Sequence, residues 1–223
     1  MLWIRFDKGI SITMKLFKLK NKENQFKCNC CGKIYDNIPL TFGNDYPAFY
    51  NSIPKNEIKN RIEYQKSLCV IDEKYFFHRV RLEIPILDYS ENLNFDIWTT
   101  ISEDNFIKRN DDWNNPERIN NEPYFGRLEN EIPTYSDTFH LETTSRESEI
   151  GLIPKLEIID KNHPLYLDQQ NGITLEKAQK IVQQILEKQH KRIESGQNLK
   201  GFTLKGFTKA LVTEINRFVE KFR

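Results

Sequence analysis

Several features are missing from this chain of 223 residues, and each absence removes a class of function. No apolar run approaches the roughly 20 residues that a membrane-spanning helix needs. None of its nine glycines sits in a phosphate-cradling loop, so nucleotide binding has no motif to rest on. There is no nucleophile elbow or comparable local signature of covalent catalysis. Its four cysteines supply one Cys-x-x-Cys pair, Cys28 with Cys31, and no second pair to complete a four-thiolate metal site.

Net charge is nearly missing as well, at +1, but its distribution is uneven. Residues 1–24 hold six Lys/Arg against two Asp/Glu, and residues 191–223 hold eight against three. The stretch 25–190 between them is left at −8. Phosphate contacts need a positive surface, so an acidic body argues against nucleic-acid binding by the core. The same pattern predicts a basic N-terminal extension (1–24), a single domain (25–190) and a basic C-terminal extension (191–223). The extensions can dock on the acidic body, bind an anionic partner or mediate self-association.

The first ten residues are interrupted by Arg5, Asp7 and Lys8 and lack the apolar middle of a signal peptide. Met14 is an alternative start. The expected compartment is the cytoplasm, where cysteines are reduced thiols or metal ligands rather than disulfides.

What is present is enough to fold. Apolar residues make up 38% and charged residues 29%, a polar balance that aromatics at 12% offset because each buries a large area. Ser52 can cap a short helix with Pro54 in its first turn. Residues 75–86 alternate between an apolar parity (Phe76, His78, Val80, Leu82, Ile84, Ile86) and a charged one containing Arg79, Arg81 and Glu83, which predicts a half-buried antiparallel strand. A second strand is expected over 95–101, with Ser102 capping the helix that follows. Residues 114–130 read as a loop, 138–144 and 156–159 as further strands, and Thr174 as the cap of a strong helix in which Leu175, Ala178, Ile181, Val182, Ile185 and Leu186 follow helical spacing. Phe207, Leu211, Ile215, Phe218, Val219 and Phe222 mark a last amphipathic helix. The expected class is α+β, an antiparallel sheet of several strands flanked by helices, with that amphipathic C-terminal helix.

A series of short motifs runs through residues 26–187 in a recognisable order. They include Cys28-x-x-Cys31-Gly32 with Ile38-Pro39, Leu68-Cys69-Val70-Ile71, and Phe77-x-Arg79 with Glu83-Ile84-Pro85. Trp98 with Asn105-Phe106, Phe125-Gly126-x-Leu128, Pro133-x-Tyr135-x-Asp137-Thr138, and His163-Pro164-Leu165 with Gln169 and Gly172-Ile173 follow. In this series the chain resembles the bacterial family known as domain of unknown function 2199. The resemblance implies a small cytoplasmic bacterial domain and carries no activity with it. Tyr35 stands where relatives often have His, and Ser67 where they often have Asp.

The candidate chemistry centres on thiols. Cys28 and Cys31 have the spacing that lets two thiolates meet one tetrahedral Zn²⁺, with Gly32 suited to the tight turn. Cys69 is the preferred third ligand, and Cys30, His78 and His163 are the other available donors. Zinc is the one cofactor the residues suggest; the competing reading leaves the cysteines as reduced thiols, Cys69 a small buried hydrophobe. Cys69 with His163 or His140 and Asp137 supplies the residue types of a nucleophile, base and orienter, without a surrounding signature. Arg79, Arg81 and Arg127 can bind an anion if the fold gathers them, or otherwise pair with carboxylates. The favoured expectation is a non-enzymatic protein-binding module, an immunity or inhibitor protein facing a basic partner, with zinc as its candidate stabiliser. The alternative is a small metal- or cysteine-dependent hydrolase.

Overall fold

A computed structural model describes residues 25–194 and the backbone of 203–204. The basic segment 1–24 and the amphipathic helix expected over 207–222 lie outside these described residues. The chain divides into two compact units, one ending at Pro39 and the other beginning at Leu40.

In the smaller unit the described residues form a hairpin of β1 (Phe26–Lys27) and β2 (Ile34–Tyr35), paired antiparallel with Phe26 opposite Tyr35. The two rings lie 6.3 Å apart between centroids. Everything between the strands is the cysteine turn.

The larger unit runs through β3 (Thr41–Gly43), α1 (Ile58–Arg61), β4 (Ile62–Gln65), β5 (Leu68–Ile71), β6 (Tyr75–Ile84), β7 (Leu93–Thr100) and α2 (Glu103–Asp111). Then come β8 (Tyr124–Arg127), β9 (Glu142–Arg146), β10 (Lys155–Ile158), α3 (Pro164–Asn171), α4 (Leu175–Glu194) and β11 (Thr203–Leu204). Ser52 does not cap a helix here. It ends a 3₁₀ turn, Ala48–Ser52, and its hydroxyl donates to the Phe49 carbonyl, while α1 begins six residues later.

Strands β6 to β10 make a ring. β6 and β7 pair antiparallel from Phe77–Thr100 to Ile84–Leu93, β8 pairs with β9, and β9 with β10. β10 then returns alongside β6 in parallel register, Lys155 opposite Arg81 and Leu156 opposite Leu82. Between β7 and β8 the seam is closed by a single antiparallel bridge, Thr99 to Leu128. The Arg127 amide donates to Thr100 Oγ1 at 2.9 Å and the Glu129 amide to the Trp98 carbonyl at 2.8 Å, on either side of that bridge. Gly126 permits this approach: a Cβ there would stand 2.1 Å from the Thr100 carbonyl oxygen.

The sheet is therefore mixed, not the purely antiparallel one expected. β10 with β6 and β3 with β7 are parallel, and β11 adds antiparallel to β3. Alternation along one strand reports which face is buried, but it carries no information about the direction of the neighbour.

Both faces of β6 and β7 are covered. Val80, Leu82, Ile84, Leu93, Phe95 and Ile97 fill one side at 0% exposure. On the other, Phe77 and Trp98 pack with Ile53, Cys69 and Ile71, flanked by Phe49, Tyr50 and Tyr64. The strand read as half-exposed is thus an interior strand, and Arg79 is buried with it. Gln169 pins α3 to β10, donating to the Leu156 carbonyl at 2.6 Å and accepting from the Ile158 amide at 3.0 Å. Helix α4 buries Ala178, Ile181, Val182, Ile185 and Leu186, the stripe its sequence spacing predicts.

Candidate functional site

The thiol turn is built from its backbone outward. The Cys28 amide donates to the Lys33 carbonyl and the Gly32 amide to the Cys28 carbonyl, both at 2.9 Å, closing a tight loop. Gly32 completes it in the left-handed region at φ 69°, where a side chain is disfavoured. The loop folds three thiols onto one another. The Sγ atoms of Cys28, Cys30 and Cys31 all lie within 4.8 Å, and Cys28 Sγ is 3.0 Å from Cys30 Sγ. Cys28 is buried, while Cys30 and Cys31 are exposed.

Their protonation is divided unequally. Burial alone raises the Cys28 thiol, but hydrogen bonds from the Cys30 side chain and from the Cys31 and Cys30 backbone outweigh it and bring the pKa below the ordinary value. Cys30, the partner in that shared bond, is pushed up to about 12. A lowered Cys28 pKa favours the thiolate form, the form that a cation binds. Tetrahedral Zn²⁺ with Zn–S near 2.3 Å separates its sulfurs by about 3.8 Å. Three sulfurs already within 4.8 Å reach that spacing with small rotamer changes. The cluster can hold a metal ion through three thiolates, leaving one coordination position for a further donor.

The structure brings Cys28 and Cys31 together with Cys30, the neighbour that spacing rules left in reserve. Cys69 belongs to the larger unit and to its hydrocarbon cluster on β5, where burial alone pushes its thiol up to about 12. His163 caps α3: its Nδ1 accepts from the Leu165 amide at 3.1 Å, which leaves Nε2–H to donate to the Ser136 carbonyl at 3.0 Å. Asp137 follows Ser136 in a loop where Thr134, Asp137 and His140 all have positive φ. No hydrogen bond among the described residues links Cys69 to His163 or Asp137. Nor are the three arginines gathered. Arg79 donates to the Asn44 carbonyl, Arg81 forks onto Asp96 at 2.7 and 3.0 Å, and Arg127 pairs with Glu142 at 2.9 Å on the surface.

Other polar groups inside the larger unit went unread in the sequence. Glu147, just beyond β9, is held by Arg109 of α2 at 2.9 Å and lies 2.8 Å from Arg118 Nη2, with all three side chains at most 3% exposed. Arg118 also donates to the carbonyls of Trp113, Ser148 and Leu152. His78 is fully buried beside this clamp, with Nε2 3.4 Å from Ser145 Oγ, and burial together with the Arg109 charge holds it neutral. On the other side, Asp168 accepts from Tyr135 at 2.6 Å and from Lys177 at 2.5 Å. These struts join residues far apart in the chain, so no local pattern in the sequence reports them.

The larger unit is an α+β domain, preceded in the chain by the thiol hairpin, and no described helix is long and apolar enough to cross a membrane. Residues 27–173, more than half of the chain, match the family DUF2199, described as an uncharacterized protein conserved in bacteria, and the chain belongs to that family. No curated protein and no solved structure matches it.

Proposed function

We propose that the protein is a non-enzymatic protein-binding module of the cytoplasm, acting as an immunity or inhibitor protein does by covering a basic surface on its partner. The observation that carries this reading is the charge of −8 over residues 25–190. A body of that charge steers a positively charged partner and excludes nucleic acid. The internal pairing of Arg81 with Asp96 and of Arg109 with Glu147 supports it, because these groups stabilise the fold instead of facing a substrate. In the same reading a structural zinc ion sits at Cys28, Cys30 and Cys31.

Affinity capture from the native host at low salt tests the proposal. A basic protein should be recovered and should dissociate as salt screens the charges over a Debye length of about 8–10 Å at moderate ionic strength. Recovery of no protein partner sinks it. Elemental analysis tests the zinc: one equivalent is expected, lost in Cys28→Ser and Cys31→Ser and kept in Cys69→Ser. The alternative, a cysteine-dependent hydrolase, needs a Cys69 thiolate, and a thiol pushed up to about 12 inside a hydrocarbon cluster gives it no support.

A further inference from the structure

The larger unit has a cleft of about 440 Å³ between the segment after β3, the 130–139 loop and the last turns of α4. Its walls carry opposite charges. Asp45 and Glu131 line one part and Lys188 and Arg192 another. Neither carboxylate, nor Lys188, forms an ion pair with a described residue. Several other surface carboxylates of this unit are neutralised within the chain, as in Glu83–Lys155, Glu142–Arg127 and Glu176–Lys180.

Two further observations point to a ligand. Asn44 lines the cleft at 5% exposure, and its Oδ1 is buried without a hydrogen-bond partner among the described residues. Such an orphaned acceptor is destabilising unless something donates to it. Its own backbone carbonyl is already used by Arg79 and by Trp98 Nε1, so the side-chain oxygen is the group left over. Beside it, Tyr46 and Tyr50 stack at 3.9 Å between centroids and 15° between planes, presenting an aromatic surface to the same cleft. Carboxylates, a carbonyl acceptor and tyrosine faces are the elements that receive a guanidinium or ammonium group. The lysine and arginine of α4 receive a carboxylate.

We propose that this cleft binds a short peptide segment carrying a basic and an acidic side chain close together, the basic one against Asp45, Glu131 and Asn44 and the acidic one against Lys188 and Arg192. A singly charged ligand would satisfy one wall and be repelled by the other. The proposal stands apart from the capture of a basic partner by the acidic body, since the peptide itself has no net charge.

The test is calorimetric titration of the full chain with a capped Gly-Arg-Glu-Gly peptide, beside capped Gly-Arg-Ala-Gly, capped Gly-Ala-Glu-Gly and free arginine. Saturable binding of the doubly charged peptide is expected, with each singly charged peptide at least about tenfold weaker. Asp45→Asn and Glu131→Gln should weaken the arginine-bearing peptides and leave the glutamate-only peptide unchanged; Lys188→Met should do the converse. All three positions are at least partly exposed, so the variants keep the fold, and an unchanged melting temperature verifies it. The proposal is overturned by absence of binding, by affinity indifferent to the three substitutions, or by free arginine binding as tightly as the peptide. Failure here leaves the affinity-capture result unaffected, so the two readings fail separately.

Discussion

The thiol hairpin and the strand ring solve the same problem by different means. In the ring, apolar residues from five strands shield one another, and Val80, Leu82, Phe95 and Ile97 reach 0% exposure. In the hairpin, the only buried residue described is Cys28, held by two two-residue strands. A core burying several large side chains at about 1.5–3 kcal/mol each can fold without help. Two isolated strands of two residues cannot, because a lone hairpin is marginal in water even with longer strands. The difference teaches that the three thiols stand where the hairpin has no core: the cation proposed for them would supply the stability that hydrocarbon supplies elsewhere.

The sharpest way to break that comparison is to remove the proposed cation. A strong chelator, or Cys28→Ser, should collapse hydrogen-exchange protection of the Cys28 and Gly32 amides while protection across β6 and β7 persists. The expected loss is complete for the hairpin, since structural thiolate sites contribute on the order of 10 kcal/mol to the folding of the segment that carries them. Protection unchanged on chelation, in protein shown to have lost its metal, would refute the idea that metal replaces a core there.

The ring has its own point of failure, and it is ionic. Glu147 neutralises Arg109 and Arg118 in a space almost closed to water. Glu147→Ala leaves two buried guanidinium groups without a counter-charge, at a cost of about 3–5 kcal/mol. Chemical denaturation should show this as a lower midpoint with an unchanged slope. Arg109→Met with Glu147→Met removes the Arg109–Glu147 pair and should recover part of the loss.

A smaller effect depends on pH. The Glu129 carboxyl, on the β7–β8 seam and 5% exposed, is pushed up to about 7 by burial. The nearest cationic candidate, His140 Nδ1, is 3.4 Å away, too long for a strong hydrogen bond. The folded state therefore binds this proton more tightly than the unfolded chain, whose glutamate titrates near 4.5. Its contribution is fully present below about pH 4.5 and is lost as pH rises through about 7, a change of roughly 3 kcal/mol. Glu129→Gln should flatten that part of the stability profile. An unaltered slope would mean the carboxyl is solvated on the seam.

Sequence reading was most successful where one periodicity or one cap decides the structure. The stripe of α4, the buried parity of β6 and the cap at Thr174, whose Oγ1 accepts from the Lys177 amide at 3.2 Å, were all legible. Strand β8 was not. Tyr124–Arg127 lies in a stretch of Asn, Glu and Pro that reads as loop, and it is a strand because all four residues pair with β9, while Gly126 lets it lie against Thr100. Arg79 was misplaced for a related reason: its parity is charged, and nothing in the strand itself reports the aromatic layer that covers it. The thiol site was half legible. The Cys-x-x-Cys spacing names Cys28 and Cys31, but only the turn geometry brings Cys30 against Cys28, and Cys69 lies in a different unit. Unpaired Asn44 Oδ1 and the opposed charges of the cleft join residues more than 140 positions apart, beyond any local pattern.

The smallest effect tests whether the ring's ionic clamp depends on the helix that bears Arg109. Ser102 caps α2, its Oγ accepting from the Asn105 amide at 3.3 Å, with Glu103 and Asp104 in the first turn. Ser102→Ala removes one acceptor from an exposed helix end and should cost about 1 kcal/mol. The loss should appear as faster exchange of the first-turn amides alone. Arg109 sits in the last turns, where it is anchored independently by Glu147 and by the Ser67 carbonyl at 3.2 Å. A cost well above 1 kcal/mol, or one that Glu147→Ala abolishes, would show that cap and clamp act as one unit. The helix would then belong to the ring's ionic core and not merely pack beside it.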